Sequence, residues 1–219
     1  GPITQIRIWT SWLFDSLPPI PPCFSLGIWS DIPADTNLLF HSRPGQQLCN
    51  WQFFPGTYTN YLYTNGVQEQ FFDPNIPAII GFDTMIWEYV FDLPTNNPCW
   101  QTNGNIYWLS VQADCFDTNN FLFGWKTCPT NWNDDAVFGD TPFFGAQPTF
   151  WMELRRPPYY TNSLDLSFEI ITSQTNQPPP PPTNTVAQKW LQIPDTSMNG
   201  LDVKATTPKI LADDFLCTA

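Results

Sequence analysis

The sequence is poor in the residues on which most catalytic and nucleic-acid-binding chemistry draws. It has one histidine, His41, and 8 Lys plus Arg against 20 Asp plus Glu, a formal net charge of −12. So acidic a chain repels phosphate backbones and anionic headgroups, which argues against nucleic acid and membrane surfaces as partners. Long hydrophobic runs are missing: no apolar stretch approaches the roughly 20 residues that span a bilayer as a helix. The six cysteines include no CxxC pair, so a zinc site with closely spaced ligands is not expected, and neither is any other cofactor. No Asn-x-Ser/Thr sequon occurs, which leaves O-linkage, on the threonines flanking the proline run, as the glycosylation to expect. Helical periodicity is hard to find anywhere. The chain opens at Gly1 with neither initiator Met nor signal peptide and reads as a processed product or an excerpt of something longer.

Aromatic and proline residues are plentiful: 11 Trp, 18 Phe and 24 Pro. Short β-branched and aromatic runs recur between Pro, Gly, Asn and Asp punctuation. Strands are predicted near residues 3–14, 24–29, 48–54, 69–72, 84–91, 105–113, 121–127, 149–154 and 164–171. That spacing predicts an all-β fold, an antiparallel sandwich of jelly-roll type. The body spans 1–173, a proline-rich linker 174–188, and a C-terminal segment 189–219 follows. The five prolines at 178–182 form a semi-rigid polyproline II spacer of about 15 Å.

Cys23, Cys49, Cys99, Cys115, Cys128 and Cys217 are read as disulfide cysteines, which implies an oxidising, extracellular setting. WLSVQADC (108–115) and FLFGWKTC (121–128) read as a hairpin that sets Cys115 opposite Cys128, and Cys23 and Cys49 flank neighbouring strands in a similar way. Six cysteines allow many connectivities, so the pairing stays open.

No catalytic residue is assigned, and the chain is read as a non-enzyme. His41 sits in a turn-like FHSRPG without a nucleophile motif nearby. The acidic pair Asp134 and Asp135 is the best calcium candidate, although Asp and Asn also populate turns for their own hydrogen-bonding reasons. The four glutamates, Glu69, Glu88, Glu153 and Glu169, fall in strand-like runs where they are expected to face solvent. The aromatic surplus serves either a wide core and subunit interfaces or, at TYTNYLYTNG (57–66), an exposed patch that stacks on sugars.

At GPITQIRIW, NIYWLSVQA, GWKT followed by NWNDDAV, LDLSF and KILADDFLC, the sequence resembles a domain of unassigned activity found in secreted bacterial proteins. Six cysteines depart from that domain's pattern. The resemblance implies an order: the counterpart of Lys189–Cys217 comes first, and the counterpart of Gly1–Trp9 follows it directly. Here the order is rotated.

End to start, ILADDFLCTA and GPITQIRIW make two strand-like runs joined by a turn. Such a pair forms when the tail of one unit meets the head of the next. The expectation is therefore a structural subunit or repeat of an extracellular filament, a head-to-tail homopolymer joined by donation of the C-terminal strand. The expected inter-subunit residues are Trp190, Ile210, Leu211, Phe215, Leu216 and Cys217 on the donor, and Ile3, Ile6 and Ile8 on the acceptor. The alternatives are a secreted polysaccharide-binding or adhesion module, more weakly a secreted hydrolase, and a tail that folds back on its own body.

Overall fold

The computed structural model describes residues 1–35, 41–115, 121–128, 136–156, 164–173 and the backbone of 201–204. Two-residue periodicity decides the architecture. In β1 (Pro2–Trp12) the side chains of Ile6, Ile8 and Trp12 fall on one face and are buried. Next along the chain come β2 (Cys23–Ile32), β3 (Arg43–Phe53), β4 (Thr59–Asp73), β5 (Ala78–Asp92), β6 (Cys99–Trp100) and β7 (Tyr107–Asp114). The later strands are β8 (Phe123–Cys128), β9 (Val137–Phe138), β10 (Met152–Glu153), β11 (Asp165–Leu166), β12 (Phe168–Thr172) and β13 (Leu201–Lys204).

The larger sheet closes on itself. β1 pairs with β5, β5 with β4, β4 with β13, β13 with β8, and β8 returns to β1. These five strands form a ring. β6 extends the β5 side of β1, β12 pairs with the first half of its other edge, and β11 pairs with the end of β8. Closure needs strong coiling, and the β4–β5 pair supplies it through register shifts at Leu62/Thr64, Asn65/Glu69 and Phe71/Phe72. Gly66, with φ of 137°, sits in the middle of those irregularities, where a side chain would be strained.

The second sheet, β3–β2–β7, packs on the face of the ring that carries Ile6, Ile8, Tyr89, Phe91, Phe123 and Trp125. Phe24 on β2 is the hub, with Tyr58, Tyr89, Phe91 and Phe123 around it at centroid distances of 5.1 to 5.3 Å, mostly edge-on. Edge-on rings place positive edges on negative faces, so the cluster is stabilised beyond its buried area. Phe24→Ala would open a cavity and cost about 3–5 kcal/mol. The buried hydroxyls keep partners: Tyr58 donates to the Pro22 carbonyl at 2.7 Å, and the Trp12 indole donates to the Tyr89 oxygen at 3.3 Å. The outer face of the second sheet is covered by the segment around 141–151, where Trp29 meets Trp151 edge-on.

The all-β antiparallel sandwich is therefore present, with one departure: β13 runs parallel to β4. The hairpin expected between 108–115 and 121–128 is not. β7 belongs to the second sheet and β8 to the ring, so Cys115 and Cys128 end strands of different sheets. Cys115 is a buried free thiol, pushed up to about 12 by burial and then by neighbouring Asp114. Cys49 bonds Cys99 rather than Cys23, joining β3 of one sheet to β6 of the other. Register explains why: Cys49 lies opposite Ile28, well along β2 from Cys23. Cys23 is disulfide-bonded as well.

Ile3, Ile6 and Ile8 are not a docking surface. β1 has neighbours along both edges, and these three side chains belong to the molecule's own core. β1, which contains PITQIRIW, is thus paired along both edges within the chain. The two ends of the body lie together: Thr172 is opposite Ile3, and the Ser173 amide donates to the Pro2 carbonyl at 3.0 Å.

Candidate strand-accepting slot

The stave that closes the ring comes from beyond the proline-rich stretch. On one side Leu201, Asp202 and Val203 lie parallel to Gln70, Phe71 and Phe72 of β4. On the other, Asp202, Val203 and Lys204 lie antiparallel to Lys126, Trp125 and Gly124 of β8. Without β13, two rows of backbone N–H and C=O groups would face each other unpaired, a slot shaped for one strand. Leu201–Lys204 provides that strand.

The slot is backed by a charged interior. Glu69 on β4 and Asp83 on β5 are direct cross-strand partners, and like charges so placed repel. Lys126, from β8, donates through Nζ to Asp83 Oδ1 at 2.9 Å and to Glu69 Oε2. All three are buried: 3% exposed for Lys126, 5% for Glu69 and 0% for Asp83. β8 and β4 are separated by β13 in the ladder, so these contacts cross the inside of the ring rather than running along an adjacent pair.

The turn after β1 braces the same end of β5. Asp15 accepts from the Thr84 amide at 2.9 Å, the Thr84 hydroxyl at 2.6 Å and the Met85 amide at 2.9 Å. Burial pushes this carboxyl up, but those bonds and the nearby Lys126 charge outweigh it and leave it below the ordinary value. Phe14 and Asp15 both adopt left-handed backbone, φ 56° and 55°, where Asp is tolerated and Phe is strained. Phe14 is held there by edge-on packing against Phe82.

The glutamates depart from the expectation of solvent-facing side chains. Besides Glu69, Glu88 is buried and lies 3.4 Å from Arg7, which also lies 3.7 Å from Glu169. Glu153 pairs with Arg155 at 2.7 Å. His41 Nε2 lies 3.3 Å from the Trp151 carbonyl, to which it donates as the Nε2–H tautomer. Of the TYTNYLYTNG run, Tyr58 is buried in the core before β4 begins, and the part from Thr59 on forms the outer half of β4, with Tyr61, Leu62 and Tyr63 exposed and Tyr63 edge-on to Trp9. Among the described residues no group of three His, Cys, Asp or Glu is arranged to hold a metal, and no helix is long and apolar enough to cross a membrane.

Several expected sites lie outside the described residues: Asp134 and Asp135, Trp190, Ile210, Leu211, Phe215, Leu216 and Cys217, together with the linker 174–188. Sequence reading misses the Lys126 triad. The available signal is a lone lysine inside the aromatic run FLFGWKTC of a chain with few cations.

No curated protein and no solved structure matches the chain. A family profile does: a domain of unknown function (DUF7901) matches residues 1–171, the body up to the last residue but one of β12 and without β13. The chain belongs to that family.

Proposed function

We propose that the chain is a structural subunit or repeat of an extracellular filament in which residues 189–219 of one unit complete the ring of the next, head to tail. One observation carries the reading: a strand that completes the ring, Leu201–Lys204, is separated in sequence from the family domain by a proline-rich stretch. A slot that takes this strand from its own chain makes the same main-chain bonds to the same strand of a neighbour. Reach permits exchange. Extended, residues 174–200 span on the order of 80 Å, against a body diameter of about 40 Å for a domain of this size.

The place where the body ends supports the head-to-tail sense. Ser173 departs beside Gly1, so in a covalent array the tail of one unit would lead into the next at that point. The Cys49–Cys99 bond supports an oxidising, secreted setting, and the bacterial setting rests on the sequence resemblance. Intramolecular closure competes at an effective concentration in the millimolar range, so assembly is concentration-dependent. Electron microscopy with light scattering tests this. The full chain should polymerise as concentration rises, and a chain lacking 183–219 should not; filaments without the tail, or a full chain monomeric throughout, would end the proposal.

A second reading draws on exposed Tyr61 and Tyr63, 46% and 37% accessible on the outer half of β4. Two exposed rings on one strand suit stacking on a polysaccharide. Absence of binding on a glycan array, or binding unchanged in Tyr61→Ala and Tyr63→Ala, would remove it.

A further inference from the structure

We propose that Lys126 and Asp83 are joined by an isopeptide bond that forms within the folded chain, with Glu69 moving the protons. This stands independently of the filament reading. An amine and two carboxyl groups are enclosed together inside the ring, each at least nine-tenths buried. Lys126 Nζ lies 2.9 Å from Asp83 Oδ1 and also touches Glu69, which faces Asp83 across the β4–β5 ladder. One carboxyl is thereby in reach of nucleophile and electrophile at once.

In water a free ammonium and a free carboxylate do not condense, because both ions are hydrated and the groups meet only transiently. Both obstacles are removed here. Held groups react with effective molarities on the order of 10⁵ M or more, and burial leaves the two charges without the hydration that stabilises them. The three reacting groups are neutral as a set: one ammonium, one carboxylate and one carboxylic acid. Glu69 takes a proton from the Lys126 ammonium as Asp83 holds the acid proton. The Nζ lone pair then adds to Asp83 Cγ. Glu69 passes a proton from the nitrogen to the departing oxygen, the C–O bond breaks, and one water leaves. The ammonium, the Asp83 acid and the Glu69 carboxylate thus give an amide, one water and a protonated Glu69, with no oxidant or co-reactant needed.

Asp83 is assigned as the electrophile because it is the more deeply enclosed carboxyl, and its neutral acid form becomes an equally neutral amide with no charge left on that side chain. Glu69 keeps the relay role because it contacts the nitrogen whose proton must be removed. The product ties β8 to β5 across the interior, inside the walls of the strand slot.

Intact-mass spectrometry of the purified full chain, reduced and alkylated, tests this. The expected mass is one water below that of the sequence with its six cysteines alkylated. Proteolysis should give a branched peptide joining the segments that contain residues 83 and 126. Lys126→Arg and Asp83→Ala should return to the full sequence mass, Asp83→Asn should lose ammonia in place of water, and Glu69→Gln should leave most of the chain unlinked. A native chain at full sequence mass overturns the proposal, and that measurement does not depend on any variant folding. A branch from Lys126 to Glu69, or a Glu69→Gln chain as completely linked as the native one, overturns the assignment of roles.

Discussion

Val203→Pro probes the ring through one backbone position. Val203 pairs with Phe72 on one side and Trp125 on the other, so β13 is a central strand there, with no edge for a proline to face. Proline removes one ladder donor whichever neighbour that amide serves, and its ring crowds the adjacent backbone. The lost bond alone is worth about 1 kcal/mol. The strand is short, with three register pairs to each neighbour, so it cannot absorb the distortion elsewhere. At about 1 kcal/mol net per ladder bond, expulsion of the strand costs roughly 3–6 kcal/mol, a large part of the 5–15 kcal/mol that holds a typical domain.

Two measurements in the full chain decide it. Urea unfolding should show an unfolding free energy lowered by that amount, and native hydrogen exchange should show lost protection confined to residues 70–72 and 124–126. A control proline in the linker, Gln188→Pro, should change neither. If Val203→Pro unfolds like the native chain and those amides stay protected, Leu201–Lys204 does not close the ring, and the strand-exchange proposal loses its basis.

Removing the inter-sheet disulfide with Cys49→Ala and Cys99→Ala releases a loop closed over a sequence separation of 50 and should cost about 4 kcal/mol by loop-closure entropy, read from the urea midpoint. Gly81→Ala places a Cβ 2.6 Å from Leu13 and 2.7 Å from the Phe14 ring, so the bracing turn must shift, at roughly 1–3 kcal/mol in thermal unfolding. Asp15→Asn keeps the left-handed backbone but removes the charge. The folded carboxyl lies below its unfolded value near 3.8, so its contribution is complete above that pH and is lost as pH falls through the lower folded value. The variant should therefore be less stable at neutral pH, with a shallower loss of stability on acidification; parallel curves for both chains would refute this account of Asp15.

What is legible in the sequence follows from which signals are local. β1, β2 and β8 can be read because Ile6, Ile8, Phe24, Leu26, Phe123 and Trp125 alternate with residues of the opposite face. β4 and β5 show in the sequence only as short runs at 69–72 and 84–91, yet each is 15 residues long. Their bulges and Gly66 break the alternation that sequence reading depends on, and those same irregularities let the sheet curl shut. The Lys126 triad is invisible because its partners lie 57 and 43 residues away and nothing local marks them. The tail does supply a strand, but its partners are β4 and β8 rather than β1. ILADDFLC has more strand-like texture than GLDVKA, and texture does not reveal that both edges of β1 are already occupied.

The buried charges explain how a slot can exist before its strand arrives. Buried ion pairs add little net stability, because desolvation offsets their attraction; their firmer role is to exclude alternative arrangements. In the β4–β5 hairpin, Glu69 and Asp83 face each other and repel, so the hairpin alone is frustrated at that point. Among the described residues, β8 brings the lysine that relieves it, and it does so across the gap that β13 fills. The two walls are thus held at a defined separation by side chains that β13 does not contribute, while β1, hydrogen-bonded to both β5 and β8, fixes them from behind. On the strand-exchange proposal, a strand that enters such a gap would find both ladders already placed, and one that leaves would not collapse the walls. An amide between Lys126 and Asp83 would make that separation permanent. In the proposed filament the ring would then remain rigid under load, while its closing stave stayed free to come from another chain.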